Sequence, residues 1–211
     1  MSPYRPDQSD YLAHFTTSRT PFGDERNPTS KFKNMSAYDR LLAILEGGTI
    51  FAYSLPFVGR RATCFTECPW SSLLAHAKRY SPYAVGFTKP HVFAAGGGPA
   101  YYVRADHWEK QNWGDDIKAF VTPMWPEYRP SALKSDAYLS GRTIDYSHER
   151  EWRVPHDFTF NIDQVQFVIV NSYEDVAKCP KNIKDAIGRE RFLIMDVYLT
   201  IETIWPVHHV E

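Results

Sequence analysis

The sequence predicts an α+β fold in a single domain. Short segments that alternate between apolar and polar residues, as strands do, recur from the beginning to the end of the chain. Helix patterns with recognisable start and stop signals fall mainly in its first half. The 211 residues are enough for one large domain. We therefore expect one domain over 1–211, with many short strands and helices concentrated in the first half.

The N-terminal part of the chain contains an arm, a strand and a long loop. Residues 1–10 are polar with two prolines, which predicts a loose arm. Alternation over 11–16 predicts a first strand and places the polar side chains of His14 and Thr16 on the same face. The polar stretch 17–35 is broken by proline and glycine, and its length is typical of a lid-like loop.

The first helix has both of its end signals in the sequence. Ser36 is a favourable N-cap, and Asp39 lies in the first turn, where a negative charge is stabilising. Apolar residues at helical spacing over 41–45 predict the buried stripe. Gly47 and Gly48 then end the helix.

The remaining elements follow from the same patterns. Strands are expected at 49–53, 62–66, 83–89, 100–103, 163–170 and 192–197. Helices are expected at 69–80, 131–139, 173–177 and 180–190, with partial helix over 106–119 and a proline-rich loop over 122–130. The triple glycine at 96–98 lacks the lysine of a phosphate loop and predicts a hairpin turn.

Two glutamates give the most informative local pattern. Residues 147–155 predict a strand on which Glu149 and Glu151 point to one face, and Arg150 and Trp152 to the other. Two carboxylates on one short face repel each other, so folding alone gives little reason for the pair. A catalytic role beside a developing cation is one explanation. The alternative is a solvated, charged edge strand.

Basic and sulfur-containing residues suggest further sites. Arg60 and Arg61 precede a strand, and paired guanidinium groups suit a diphosphate; a solvated pair is the alternative. Cys64 and Cys68, with His76 nearby, lack the fourth ligand of a structural zinc site. We therefore predict no metal centre.

Composition limits the class of protein. The formal net charge is −1, from 24 basic and 25 acidic residues, so there is no global basic field for nucleic acid. Three cysteines do not form a disulfide framework. No apolar segment resembles a signal peptide or a membrane span. These features predict a cytoplasmic protein with reduced thiols and no membrane partner.

Several pieces, taken in chain order, resemble the ADP-ribosyltransferase superfamily. The order is closest to DarT-like DNA ADP-ribosyltransferases and to AbiGi-type abortive-infection proteins. The pieces are His14-Phe15-Thr16, residues 41–48 (Leu-Leu-Ala-Ile-Leu-Glu-Gly-Gly), 64–69 (Cys-Phe-Thr-Glu-Cys-Pro), 83–89 (Tyr-Ala-Val-Gly-Phe-Thr-Lys) and 149–153 (Glu-Arg-Glu-Trp-Arg). They span roughly 11–155, and their order is more specific than any single piece.

The resemblance implies a split, twisted β core that holds NAD in a cleft. It assigns a ribose hydroxyl to His14, the nicotinamide side to Thr16, and the nicotinamide pocket to Tyr83 or Phe87. Arg60 or Arg61 would meet the diphosphate. Glu151 would stabilise the oxocarbenium-like transition state, and Glu149 would orient or deprotonate the acceptor.

The function expected from this resemblance is NAD-dependent ADP-ribosyl transfer in phage defence or a toxin–antitoxin system. Nucleic acid, with DNA first, is the expected acceptor, and a protein acceptor is second. One alternative is a non-enzymatic binding or antitoxin-like module that keeps the fold. Another is a magnesium nuclease that uses Glu149, Glu151 and Asp145. The transferase requires His14, an arginine and Glu151 to face one cleft.

Overall fold

A computed structural model describes residues 8–18, 34–55, 57–67, 74, 76–77, 79–127 and 143–204. The predicted helix at 131–139, and most of the predicted arm and lid-like loop, lie outside the described residues. Among the described helices, none is both long and apolar enough to cross a membrane.

A mixed, twisted sheet is the centre of the fold. The strands of the described residues are β1 (Tyr11–Phe15), β2 (Thr49–Ile50), β3 (Tyr53–Ser54), β4 (Arg61–Thr66), β5 (Ala84–Thr88), β6 (Gly98–Pro99), β7 (Tyr101–Arg104), β8 (Val121–Met124), β9 (Glu151–Val154), β10 (Phe158–Thr159), β11 (Phe167–Val170) and β12 (Phe192–Ile194). Eight of them form one sheet in the order β12-β11-β5-β1-β4-β9-β6, with β3 also paired to β4. β11 and β12 are parallel, and the other pairs of this sheet are antiparallel.

Two small sheets complete the strand pairing. β2 pairs with β10, and β7 runs parallel to β8. The prediction of a loop over 122–130 was wrong at its start, because β8 includes Thr122, Pro123 and Met124. A proline fits there since both strands of a two-stranded sheet are edges, and an edge strand tolerates a missing N–H.

Helices occur in both halves of the chain, which corrects the expectation that they are concentrated in the first. They are α1 (Ala37–Gly47), α2 (Lys89–Ala94), α3 (Ala105–Lys110), α4 (Asp115–Lys118), α5 (Tyr173–Lys178), α6 (Lys181–Ile187) and α7 (Met195–Ile204). Leu74, His76, Ala77 and Arg79 are also helical, within the helix expected at 69–80. α1 matches its prediction: the Ser36 hydroxyl accepts from the Asp39 N–H, and Gly48 closes the helix with φ 58°.

The triple glycine does not form a hairpin turn. It follows α2, which begins after the N-cap Thr88 and has a proline in its first turn. At Gly97, a Cβ would lie 2.6 Å from the Val92 carbonyl oxygen, so this glycine lets the chain pass close to the end of α2. The glycines therefore join a helix to β6.

Apolar side chains pack on both faces of the large sheet. Leu12, Phe65 and Phe87 belong to a cluster that includes the buried stripe of α1. Ala13, with Phe15 packed against it, belongs to a second cluster that includes Met195 of α7. The predicted alternation of β1 is thus confirmed, since its neighbouring residues enter different clusters.

Candidate active site

The residues before β9 form a turn, which corrects the single strand expected over 147–155. Ser147–Glu149 is a 3₁₀ turn, and Arg150 has a left-handed backbone with φ 45° and ψ 51°. Asp145 starts this turn, because its Oδ1 accepts from both the N–H (2.9 Å) and the hydroxyl (2.6 Å) of Ser147. Glu149 and Glu151 therefore do not share a face through strand alternation.

Glu149 is nevertheless close enough to Glu151 for their charges to interact. Burial is the main cause that raises the pKa of Glu149, and the Glu151 charge raises it further. A hydrogen bond from the Tyr80 hydroxyl (2.7 Å) and an ion pair with Arg79 (3.2 Å) act in the opposite direction. The net effect is to raise the pKa of Glu149, so this carboxyl group gives up and takes up its proton at a higher pH than an ordinary glutamate does.

Glu151 has a different environment, dominated by one cation. Its Oε2 lies 2.7 Å from Nη2 of Arg153, two residues along the same face of β9. Nη1 of Arg153 also donates to the carbonyl oxygens of Ala119 (3.1 Å) and Val121 (3.2 Å). The two carbonyl groups hold the Arg153 guanidinium in place. The guanidinium in turn fixes the position of the Glu151 carboxylate.

The other face of β9 carries Trp152, as the sequence predicted. Its indole N–H donates to Glu67 (3.2 Å), whose other carboxylate oxygen is 2.6 Å from Lys89. The carboxylates of Glu149 and Glu151 are instead close to the thiol of Cys64. Burial, followed by the Glu151 charge, raises the pKa of this thiol, so it is a poor nucleophile.

Tyrosines, together with the arginines already described, surround the two carboxylates. The Tyr102 hydroxyl accepts from the Glu151 N–H (3.1 Å) and donates to the Tyr146 carbonyl (3.1 Å). Sequence reasoning did not identify Tyr80, Tyr102 or Arg153 as site residues. Only Arg153 had a usable signal, since it lies two positions after Glu151 on a predicted strand.

His14 is not placed beside the Glu151 carboxylate. The register pairs Ala13 with Thr66 and Thr66 with Glu151, so these three side chains share one face of the sheet. His14 alternates to the other face, where its ring meets the edge of Phe65. Its Nδ1 lies 2.8 Å from the Cys64 carbonyl oxygen, and burial lowers its pKa.

Thr16 and Phe87 are packed inside the protein. The Thr16 hydroxyl donates to the Ala37 carbonyl (2.8 Å) and ties β1 to α1. Phe87 is fully buried, and its ring contacts Phe65 and the rings of Phe158 and Phe160. Both residues have structural partners that account for their side chains.

Arg60 and Arg61 lie far from the carboxylates along β4. Arg61 begins the strand, whereas Thr66, the partner of Glu151, ends it about 16 Å away at the usual rise of a strand. Arg60 forms an ion pair with Asp115. Arg61 donates to the Ala52 carbonyl (2.7 Å) and lies 3.6 Å from Asp157. The structure therefore does not bring either arginine to Glu151.

Metal chemistry has little support among the described residues. No group of three or more His, Cys, Asp or Glu side chains in that part of the chain is arranged to hold a metal ion. Asp145 accepts two hydrogen bonds from Ser147, and among the described residues no three acidic, histidine or cysteine side chains group around it as a magnesium nuclease would need. Cys68, the second cysteine considered for zinc, lies outside the described residues.

A cleft of about 460 Å³ is connected to Glu149 through the shared residue Tyr80. It is lined by Ser18, Ser36, Ala37, Tyr38, Ala77, Tyr80, Ser81, Pro82 and Tyr83. Tyr80 belongs to both places, because it lines the cleft and its hydroxyl donates to Glu149. Of the residues predicted to bind a cofactor, Tyr83 is the one that lines this cleft.

Comparison of the chain with known protein families, with curated proteins and with solved structures found no match.

Proposed function

We propose that the protein is an NAD-dependent ADP-ribosyltransferase that modifies nucleic acid, as an effector of phage defence or of a toxin–antitoxin system. The observation that carries the proposal is the pair of neighbouring carboxylates in unequal environments. Glu149 is buried with a raised pKa, and Glu151 is ion-paired with Arg153. Two carboxyl groups with different environments are the arrangement that glycosyl chemistry uses to divide its roles.

Each glutamate has one role in the proposed reaction. The bond between the nicotinamide nitrogen and the ribose carbon breaks, and neutral nicotinamide leaves with the bonding electrons. Glu151 stabilises the positive charge that develops on the ribose. The acceptor then forms the new bond to the same carbon, and Glu149 takes the proton that the acceptor loses.

The residues assigned to NAD are fewer than the sequence suggested. Tyr83 keeps a place at the ligand, since it lines the cleft. Arg79 is the exposed cation beside Glu149, so it replaces Arg60 and Arg61 as the proposed contact for phosphate. The transferase was expected to bring His14, an arginine and Glu151 to one cleft, and His14 does not meet this requirement, because it lies on the face of the sheet opposite Glu151. Thr16 and Phe87 are packed inside the protein. The proposal therefore rests on the carboxylate pair. Because the net charge is −1, recognition of an anionic acceptor has to be local.

The test is transfer from labelled NAD. The purified protein is incubated with labelled NAD alone, then with single-stranded DNA, duplex DNA, RNA and a cell lysate, and nicotinamide release is measured in parallel. Glu151→Gln removes the charge with little change in shape. Glu174→Gln, on the exposed face of α5, is the matched control.

We expect label in one acceptor fraction with the wild type and with Glu174→Gln, and none with Glu151→Gln. Nicotinamide release without transfer would indicate an NAD glycohydrolase. If NAD is not consumed under any condition, the proposed transferase activity is wrong. The non-enzymatic binding module then becomes the better explanation, and co-purification would look for its partner, including a cognate antitoxin.

A further inference from the structure

The tyrosines of the cleft have anchored hydroxyls and half-buried rings. The Tyr38 hydroxyl donates to the Asp175 carbonyl oxygen (2.9 Å), and the Tyr83 hydroxyl donates to Oδ2 of the same residue (3.2 Å). The Tyr80 hydroxyl donates to Glu149 (2.7 Å). All three tyrosines line the cleft, and each ring is held in place by its hydroxyl, which reduces the conformational entropy that ligand binding would cost.

The chemistry of the lining restricts the ligand. Within the described part of the chain, the lining residues are three tyrosines, three serines, two alanines and one proline, and none of these nine carries a charge. These residues offer ring faces for stacking and hydroxyl groups for hydrogen bonds. A volume of about 460 Å³ lies within the usual range of small-molecule sites.

We infer that this cleft binds a planar, uncharged heteroaromatic ring with hydrogen-bonding edges, stacked on the tyrosines and held next to Glu149 by the shared residue Tyr80. A nucleobase and free nicotinamide, the neutral product released from NAD, both have this chemistry. Charged parts of the ligand would extend out of the cleft toward Arg79, which lies in the same helical segment as Ala77 and pairs with Glu149. The inference concerns binding, so it does not depend on the proposed transfer reaction.

Nuclear magnetic resonance titration tests the inference on the intact protein. The probes are free nicotinamide, adenosine, thymidine and, as a ring-free control, ribose 5-phosphate. The measured quantity is the shift of the backbone amide signals of Ala77, Tyr80 and Tyr83. For ligands of this size we expect saturable shifts with a dissociation constant on the order of 1 mM or tighter.

Two pairs of variants test whether binding depends on the Tyr38 ring and on the open volume of the cleft. Tyr38→Leu removes a stacking face, whereas Tyr38→Phe keeps it and loses only the hydroxyl. We expect the leucine variant to bind about tenfold more weakly and the phenylalanine variant, which keeps the ring but loses its anchor, to lose much less affinity. Ser18→Trp fills the cleft from its exposed rim and should abolish binding, while Lys110→Trp adds the same side chain at an exposed position on α3.

The outcomes are distinct. Binding of nicotinamide alone would identify the cleft as the donor side, and binding of nucleosides would identify it as the acceptor side; either supports the inference. No saturable shift with any ring, equal binding of ribose 5-phosphate, or unchanged binding in Tyr38→Leu would overturn it. Ring binding by a protein that never consumes NAD would reject the proposed transferase and leave this site standing.

Discussion

Glu151 and Arg153 form an ion pair along one face of β9, with 2.7 Å between Oε2 and Nη2. Their side chains are 13% and 6% exposed, so the pair is largely withdrawn from water. A charge in such a place is tolerated only while its partner and its hydrogen bonds are present. The two residues are therefore coupled in stability as well as in the proposed chemistry.

Removing the Arg153 cation should lower the free energy of unfolding more than neutralising the Glu151 anion does. Arg153→Leu leaves the Glu151 carboxylate unpaired in a mostly dry place, and also leaves the Ala119 and Val121 carbonyls without their donor. We expect a loss of about 3 kcal/mol or more in the free energy of unfolding, measured by urea denaturation at pH 7. Glu151→Gln still presents an acceptor to Arg153, so it should cost about 1 to 2 kcal/mol. A smaller loss for Arg153→Leu than for Glu151→Gln would contradict the coupling.

The raised pKa of Glu149 predicts a particular pH dependence. A carboxyl group that binds its proton more tightly in the folded state stabilises the protein below the pKa of the unfolded chain. This contribution is lost as the pH rises through the higher pKa of the folded state. Relative to Glu149→Gln, the wild type should therefore be most stable in acid and lose that advantage toward neutral pH. Parallel urea denaturation of both proteins between pH 4 and 7 measures the difference, and a constant difference would contradict it.

His76 should make the protein sensitive to acid. Burial, followed by the nearby charges of Arg79 and His148, lowers its pKa to about 4. Such a group stabilises the fold above its unfolded pKa near 6.5, and this stability is lost as the pH falls toward 4. The loss is at most about 3 kcal/mol.

The variant His76→Phe keeps the ring contacts with Phe15 and Tyr80 and removes the titration. Thermal unfolding of this variant should depend less on pH between 6.5 and 4 than that of the wild type. His156→Phe, at an exposed position, is the control and should retain the wild-type dependence. Equal pH dependence in all three proteins would exclude His76 as the cause.

Phe87 should behave as a core residue. Its ring is fully buried among other aromatic rings, so Phe87→Ala should lower the free energy of unfolding by about 3 to 5 kcal/mol. Phe87→Leu fills more of the space and should cost less. Urea denaturation measures both changes. At a temperature where the leucine variant remains folded, its NAD turnover should equal that of the wild type, whereas a specific loss of turnover would restore the nicotinamide-pocket role.

The sequence predicted elements whose signals are local. Ser36 and Gly48 determine the ends of α1 through their own backbone and side-chain bonds, and alternation assigned Leu12 and Ala13 to opposite faces. The sequence did not predict the turn before β9. That turn is held by hydrogen bonds from Ser147 to Asp145, whereas the alternating pattern indicated a paired strand.

The sequence predicted less of the candidate site because the contacts there are long-range. The bond from Tyr80 to Glu149 joins residues 69 positions apart, and no local pattern indicates it. The distance of Arg61 from Glu151 likewise follows from the register of β4 with β9. The choice of Glu149 and Glu151 as candidates came from their chemistry, and it remains a prediction.

The left-handed backbone of Arg150 makes the spacing between the two carboxylates depend on a residue that supplies neither of them. With φ 45°, this position disfavours β-branched side chains and accepts glycine or asparagine readily. If all twenty amino acids were placed there, the variants should rank by backbone tolerance, with glycine and asparagine near the top and valine and isoleucine at the bottom. Backbone geometry at position 150 therefore limits which residues can replace Arg150 without changing the spacing between the two carboxylates.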